Sequence, residues 1–256
     1  MPLPHIHIPF SRIPEFSGFI KDKKLDLEIY FSSADLDVPL MDAVRAVKAD
    51  FSYGPSLSFH APFMDLCPGA VDSEIRAVTV KRFSQVLDIA EILRPKVIVF
   101  HSGYEKWKYA LDVKLWLEKS LQTWRPLNSR AADLGVKIAI ENIFEDDPFN
   151  IRLLMERMDS ENFGVCFDTG HFNLFSTIPL VKWMEALNPY ILELHLHDND
   201  KSYDQHLPVG DGTFDFTGFF ALLRNRDCVH TIEAHTPEKV IKSMERLRGF
   251  TDNAAG

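Results

Sequence analysis

The sequence predicts a single (β/α)8 barrel with its active site at the C-terminal ends of the strands, and three observations carry that prediction. Eight short β-rich runs occur along 256 residues. Stretches of helical spacing separate them, which is the alternation of a parallel sheet wrapped by helices. Acids or histidines also end one run after another, so the strand ends converge on a common mouth.

The elements follow in order. Residues 5–10 form the first run and place His5 and His7 on one face, because side chains two apart in a strand share a face. His7 is open to a role in the mouth or to a core or surface role. In the run 25–31, Asp26, Glu28 and Tyr30 oppose Leu25, Leu27, Ile29 and Phe31. The helices after these two runs read as short or irregular. The run 56–61 holds His60 in SLSFHAPF. Helical spacing over 72–93 follows, with Val71, Ile75, Val78, Phe83, Val86, Leu87 and Ala90 recurring at three and four.

The run 96–101 begins at Lys96, at the far end of the barrel, and closes on His101. A helix over 109–134 stops at Gly135, and Trp107, Trp116 and Trp124 cover helix faces or loops. The run 137–142 aligns Lys137, Ala139 and Glu141, and 163–168 aligns Gly164, Cys166 and Asp168. In 191–197, Glu193, His195 and His197 share the axial face, while Leu192, Leu194 and Leu196 face the helices. The run 229–234 carries Glu233. Gly210 and Gly212 in PVGDG read as a tight loop opening a helix over Phe214–Leu223, and alone are weak evidence for phosphate binding. The barrel takes residues 1–250, and 251–256 read as a frayed tail.

A formal charge of −9 argues against a generally basic nucleic-acid binder, though not against a local basic groove. Three cysteines without a CxxC pair suit a reducing cytosol. The start MPLPHIHIPF lacks the pattern of a signal peptide. No apolar run approaches the roughly 18 residues of a membrane span. The expected location is cytoplasmic.

Glu141, Asp168, His197 and Glu233 come one from each of strands five to eight. Three carboxylates with one imidazole suit Zn, Mn, Co or Mg, and ligand type alone does not choose among them. His171, three residues past Asp168, projects into the same mouth. His60 and His101 read as ligands, as substrate hydrogen-bonding groups or as structural histidines. Asp204 and His206 have the DxH spacing that puts both on one metal or one substrate, and a solvated turn is the other reading. His195, one layer deeper, reads as a satisfied interior histidine. His230 and His235 carry no partner signal.

At these residues the chain resembles the xylose-isomerase-like TIM barrel superfamily. That group joins sugar and sugar phosphate isomerases and epimerases with endonuclease IV-type apurinic-site nucleases. The IEN, DTGH, HLHDN and HLPxGxG segments carry the resemblance, which covers nearly the whole chain. In the isomerase branch it implies a metal site of Glu141, Asp168, His197 and Glu233, with Glu141 and Glu233 also the proton-transfer pair and His171 holding the substrate. In the nuclease branch it implies three zincs, with His60, His101, His171, Asp204 and His206 added, and each of those positions is filled here. Two departures favour the small-molecule branch. DTGHFNLFS lacks the longer Gly-Tyr-Asp-type continuation of the nucleases, and basic, aromatic-tipped loops for a DNA backbone are not evident.

The expectation is a divalent-metal-dependent isomerase or epimerase of a small sugar, sugar phosphate or polyol. It would act by carboxylate-mediated proton transfer and a metal-stabilised enediolate, with His60, His101, His171 and His206 binding the carbohydrate. The rivals are a zinc-dependent apurinic/apyrimidinic endonuclease, an inosose-type dehydratase that shares the first step, and a sugar-binding barrel with a vestigial site. A homo-oligomer is compatible with the sequence; a membrane partner is not expected.

Overall fold

The structure, a computed structural model, describes residues 3–253. Its strands are β1 (His5–Pro9), β2 (Asp26–Tyr30), β3 (Leu57–His60), β4 (Val97–His101), β5 (Lys137–Glu141), β6 (Phe163–Asp168), β7 (Ile191–Leu196) and β8 (Val229–Ile232). All pair in parallel in chain order, and β1 pairs with β8 through His5 and Thr231, so the sheet closes. The eight runs read from the sequence are these eight strands. The helices among the described residues are α1 (Ile13–Lys23), α2 (Met41–Asp50), α3 (Ser73–Leu93), α4 (Val113–Asp133), α5 (Phe149–Met158), α6 (Thr169–Phe175), α7 (Leu180–Leu187), α8 (Phe216–Leu222) and α9 (Pro237–Asn253). The fold is a single (β/α)8 TIM barrel.

Alternation along the strands builds two layers. Leu25, Leu27, Ile29 and Phe31 bury outward against the helices. Inward, Val97, Val99, Ala139 and Cys166 form a small apolar plug in the lower barrel. The side chains above it are polar.

Several expectations are revised. Helices α1 and α2 are regular, with 11 and 10 residues. Their signal is weak because α2 buries only Val44 and α1 only Ile13 and Ile20, too thin a stripe to read as periodicity. Helix α3 buries Phe83, Val86, Leu87 and Ala90, but Val71, Ile75 and Val78 around its start are 54%, 50% and 54% exposed. Helix α4 begins at Val113, where the Asp112 carboxylate accepts from the Leu115 N–H. Residues 109–112 form a turn with Ala110 and Leu111 at positive φ. Trp116 and Trp124 are fully buried on α4, whereas Trp107 is exposed. Helix α9 runs through Asn253, past the boundary drawn at 250, with Thr251 buried; residues 254–256 of the expected tail lie outside the described residues.

The last revision matters most. The β6–β7 register shifts between Val165 and Cys166: Val165 pairs with Ile191, but Cys166 pairs with Glu193. Leu192 is the extra residue of this bulge. It packs against the interior plug rather than with Leu194 and Leu196 on the helix side. The slip changes the pairing parity, so Asp168 lies level with His195. No helix of the described residues is long and apolar enough to cross a membrane.

Candidate metal centre

The mouth is assembled from strand ends. Glu141 closes β5, Asp168 closes β6 and Glu233 follows β8 directly. Asn142 fixes the first two relative to each other. Its amide donates to the Asp168 carbonyl at 3.0 Å and accepts from the Asp168 N–H at 2.9 Å. Asp168 also caps α6, accepting from the His171 N–H at 2.7 Å.

His195 sits at the focus of these acids. Its Nδ1 lies 3.4 Å from Glu141 Oε1, 3.4 Å from Glu233 Oε1 and 3.7 Å from Asp168 Oδ2. The ring is fully buried, and Nδ1 has no hydrogen-bond partner. Only Nε2 is satisfied, by Glu28 Oε2 at 3.0 Å. The expected satisfied interior histidine is therefore satisfied on one side alone. Burial pushes the His195 pKa down, but the carboxylates of Glu28, Glu233 and Glu141 outweigh it and raise it well above its ordinary value. Burial raises the Glu141 carboxyl, but His195 and His101 hold it well below the usual range. Glu233 behaves alike: burial is outweighed by His195, His7 and His206, which bring it to about 2. The locus draws positive charge.

His197 lies one level higher. Its Nε2 is 3.1 Å from Asp168 Oδ2 and 3.6 Å from Glu233 Oε2. Its ring stacks on His206 at 4.1 Å and 6°. Two flanking groups share the acids. His60 Nε2 and His101 Nε2 lie 3.1 and 3.3 Å from one oxygen, Glu141 Oε2. His60 Nδ1 donates to the Ala61 carbonyl at 2.8 Å. A neutral His60 therefore turns an Nε2 lone pair toward a carboxylate oxygen, so a cation or a proton must lie between them. Burial lowers the His60 pKa, but the bond to Glu141 raises it overall. On the other flank, His171 Nδ1 is 3.1 Å from Glu141 Oε1, and its Nε2 is 3.6 Å from Asp204 Oδ2. His206 Nε2 is 3.0 Å from Asp204 Oδ2, and its Nδ1 is 3.5 Å from Glu233 Oε2. Burial opposes these shifts, yet the His206 pKa rises to about 8 and that of Asp204 falls. The structure brings together every site residue named from the sequence.

The loop motifs serve the same assembly. A Cβ on Gly170 would overlap the His197 imidazole, so DTGH requires glycine there. Asp198 accepts from the N–H groups of Gly212 and Phe214 at 2.9 and 3.1 Å, tying HLHDN to the GDG loop; α8 opens just beyond at Phe216.

Sequence reading did not place a polar layer beneath the mouth. Glu28 accepts from His7 Nδ1 at 2.7 Å as well as from His195. Glu193 accepts from Ser58 at 2.9 Å and from Thr231 at 2.5 Å, and Ser58 also meets His5 Nδ1 at 2.8 Å. Glu28 was legible only as a polar-face residue of β2; the sign that could have placed it is its register opposite His7 and Ser58.

A cavity of about 1170 Å³ opens over the centre, and His60, His101, His171, His206, Glu141 and Glu233 line it. The cationic side chains along its wall are Arg12 and Lys108. They lie 3.0 and 3.8 Å from Glu15 and Glu105.

Comparison with known proteins agrees with this architecture. The uncharacterized protein MJ1311 of Methanocaldococcus jannaschii is 28% identical over 209 residues, covering 78% of this chain and 71% of its own. The crystal structure of a D-tagatose 3-epimerase-like protein superposes with a TM-score of 0.81 at 24% identity, covering 98% of each chain. The TTHB071 protein of Thermus thermophilus, soaked with zinc chloride, gives 0.79 at 27% identity, covering 97% of this chain and 98% of that one. The family model for xylose isomerase-like TIM barrels matches residues 27–250, and the chain belongs to that family.

Proposed function

We propose that the protein is a divalent-metal-dependent isomerase or epimerase of a small sugar, sugar phosphate or polyol. The observation that carries this reading is the unpartnered Nδ1 of His195, buried among Glu141, Asp168 and Glu233. A buried imidazole nitrogen facing three carboxylate oxygens is the donor set of a Zn, Mn, Co or Mg site. In this reading Glu141, Asp168, His195 and Glu233 hold the ion, with His195 in the place first assigned to His197. His197 then orients Asp168 through its 3.1 Å contact.

When bound, the ion would polarise adjacent hydroxyl and carbonyl oxygens of a keto-sugar and acidify the C–H between them. Glu141 and Glu233 move the proton. Both are held ionised: one accepts the proton from carbon and releases it to solvent in the cavity, while the other takes up a solvent proton and delivers it to carbon. They enter from β5 and β8, with β6 and β7 between them. His60, His101, His171 and His206 line the cavity and orient hydroxyls. The shared fold with a D-tagatose 3-epimerase-like protein supports the substrate class. An inosose-type dehydratase shares the first proton abstraction. Three free, buried cysteines support a cytoplasmic enzyme.

A second reading, a zinc phosphodiesterase acting on abasic nucleic acid, is favoured by the two flanking histidine groups. The mouth offers little to a phosphate backbone, since Arg12 and Lys108 already face acids and the chain carries −9. Metal content separates the readings: one exchangeable ion per chain fits the isomerase, and about three zincs fit the phosphodiesterase. Incubation with a panel of keto-sugars in deuterated water tests the chemistry. Wild type should wash deuterium into a substrate carbon, and Glu233→Gln should lose at least ~100-fold of that rate. No exchange into any substrate would overturn the proton-transfer reading.

A further inference from the structure

We infer that Glu28 is a positioning residue for two imidazoles at once, turning Nδ1 of His195 to the metal site and Nε2 of His7 to the cavity, where His7 accepts a hydrogen bond from a substrate hydroxyl. This rests on the metal-dependent reading above. The geometry is direct. Glu28 is fully buried in β2, with Oε1 at 2.7 Å from His7 Nδ1 and Oε2 at 3.0 Å from His195 Nε2. A carboxylate only accepts, so each of those ring nitrogens carries its hydrogen. In a neutral imidazole the other nitrogen is then a lone pair. For His195 that lone pair is Nδ1, which has no hydrogen-bond partner and lies among Glu141, Asp168 and Glu233. For His7 it is Nε2, on a ring that lines the cavity and stacks on Tyr30 at 5.9 Å.

The strand register makes one acid sufficient. His7 is paired with Glu28 across β1 and β2, and barrel closure brings β7 into reach of the same side chain. A metal-bound histidine commonly gives its second nitrogen to such a carboxylate, and losing that partner costs roughly 10–100-fold in metal affinity. Here the partner holds a second imidazole as well. An amide in its place offers one acceptor and one donor, so Glu28→Gln serves only one of the two rings in its present tautomer.

Two measurements test this. In long-range 1H–15N spectra of the zinc-loaded wild type, His195 should coordinate through Nδ1 with its hydrogen on Nε2, and His7 should carry its hydrogen on Nδ1. Competition for Co2+ against a chromophoric chelator should show Glu28→Gln binding roughly 10–100-fold more weakly. Coordination of His195 through Nε2, or unchanged Co2+ affinity in folded Glu28→Gln, overturns the inference while the metal site stands. Failure of wild type to bind Co2+ brings down the metal reading and this inference with it. Should Glu28→Gln not fold, the wild-type spectrum decides alone.

Discussion

Gly170 packs against His197 so closely that a single added carbon at its Cα would overlap the imidazole. Gly170 stands in the first turn of α6, directly after Thr169, and the His197 ring it supports contacts Asp168 at 3.1 Å and lies flat on His206. Gly170→Ala should therefore act through displacement of His197. Overpacking at such a site costs about 1–3 kcal/mol. Denaturant unfolding should register that loss, and substrate turnover should fall at least tenfold because Asp168 loses its lateral support. Wild-type stability in Gly170→Ala would show that the His197 ring moves freely.

His195 and His197 stand on the same strand face, and their depths assign them different work. His195 turns its unpartnered Nδ1 to three acids, whereas His197 reaches Asp168 and Glu233 through Nε2 and its own unpartnered Nδ1 faces Asp204 alone, at 3.6 Å. His195→Ala should lower Co2+ or Zn2+ affinity at least ~100-fold, and His197→Ala by ~10-fold or less, the range of an outer partner. Isothermal titration with each ion measures both. The reverse ranking would return His197 to the primary ligand set.

This pair also marks how far the sequence could be read. Period-two alternation located the eight strands and put Glu193, His195 and His197 together on the axial face, because a strand with one polar and one apolar face has a single way to sit in a barrel. The residues Glu141, Asp168 and Glu233 were legible because each ends an apolar run. The level at which strands meet was not legible. It depends on the bulge at Leu192, and nothing in ILELHLHD distinguishes a bulged strand from a regular one. Glu28 was hidden for a related reason: its partners are 21 and 167 residues away along the chain. The thin apolar stripe of α2 shows the same limit for helices, since a helix resting on one buried valine leaves almost no periodic trace.

At the opposite end of the barrel, two buried histidines weaken the fold in acid. His5 and His230 are buried, and burial brings each down to about 4 from the ordinary 6.5. His5 is satisfied by Ser58 and Ser56 at 2.8 and 3.0 Å, while His230 Nε2 has no hydrogen-bond partner. Between pH 6.5 and 4 the unfolded chain binds protons at these positions and the folded chain does not. Stability therefore falls as pH drops through that window, and the contribution is fully present only above 6.5. For His230 the loss is on the order of 3 kcal/mol by pH 4. His230→Phe, which sets a ring beside Phe220, removes the titrating group without removing the volume. The metal-free variant should lose less melting temperature than wild type between about pH 7 and pH 5, and the two should respond alike between about pH 7 and pH 8. Parallel curves across the acid window would mean that His230 already carries its proton in the folded barrel.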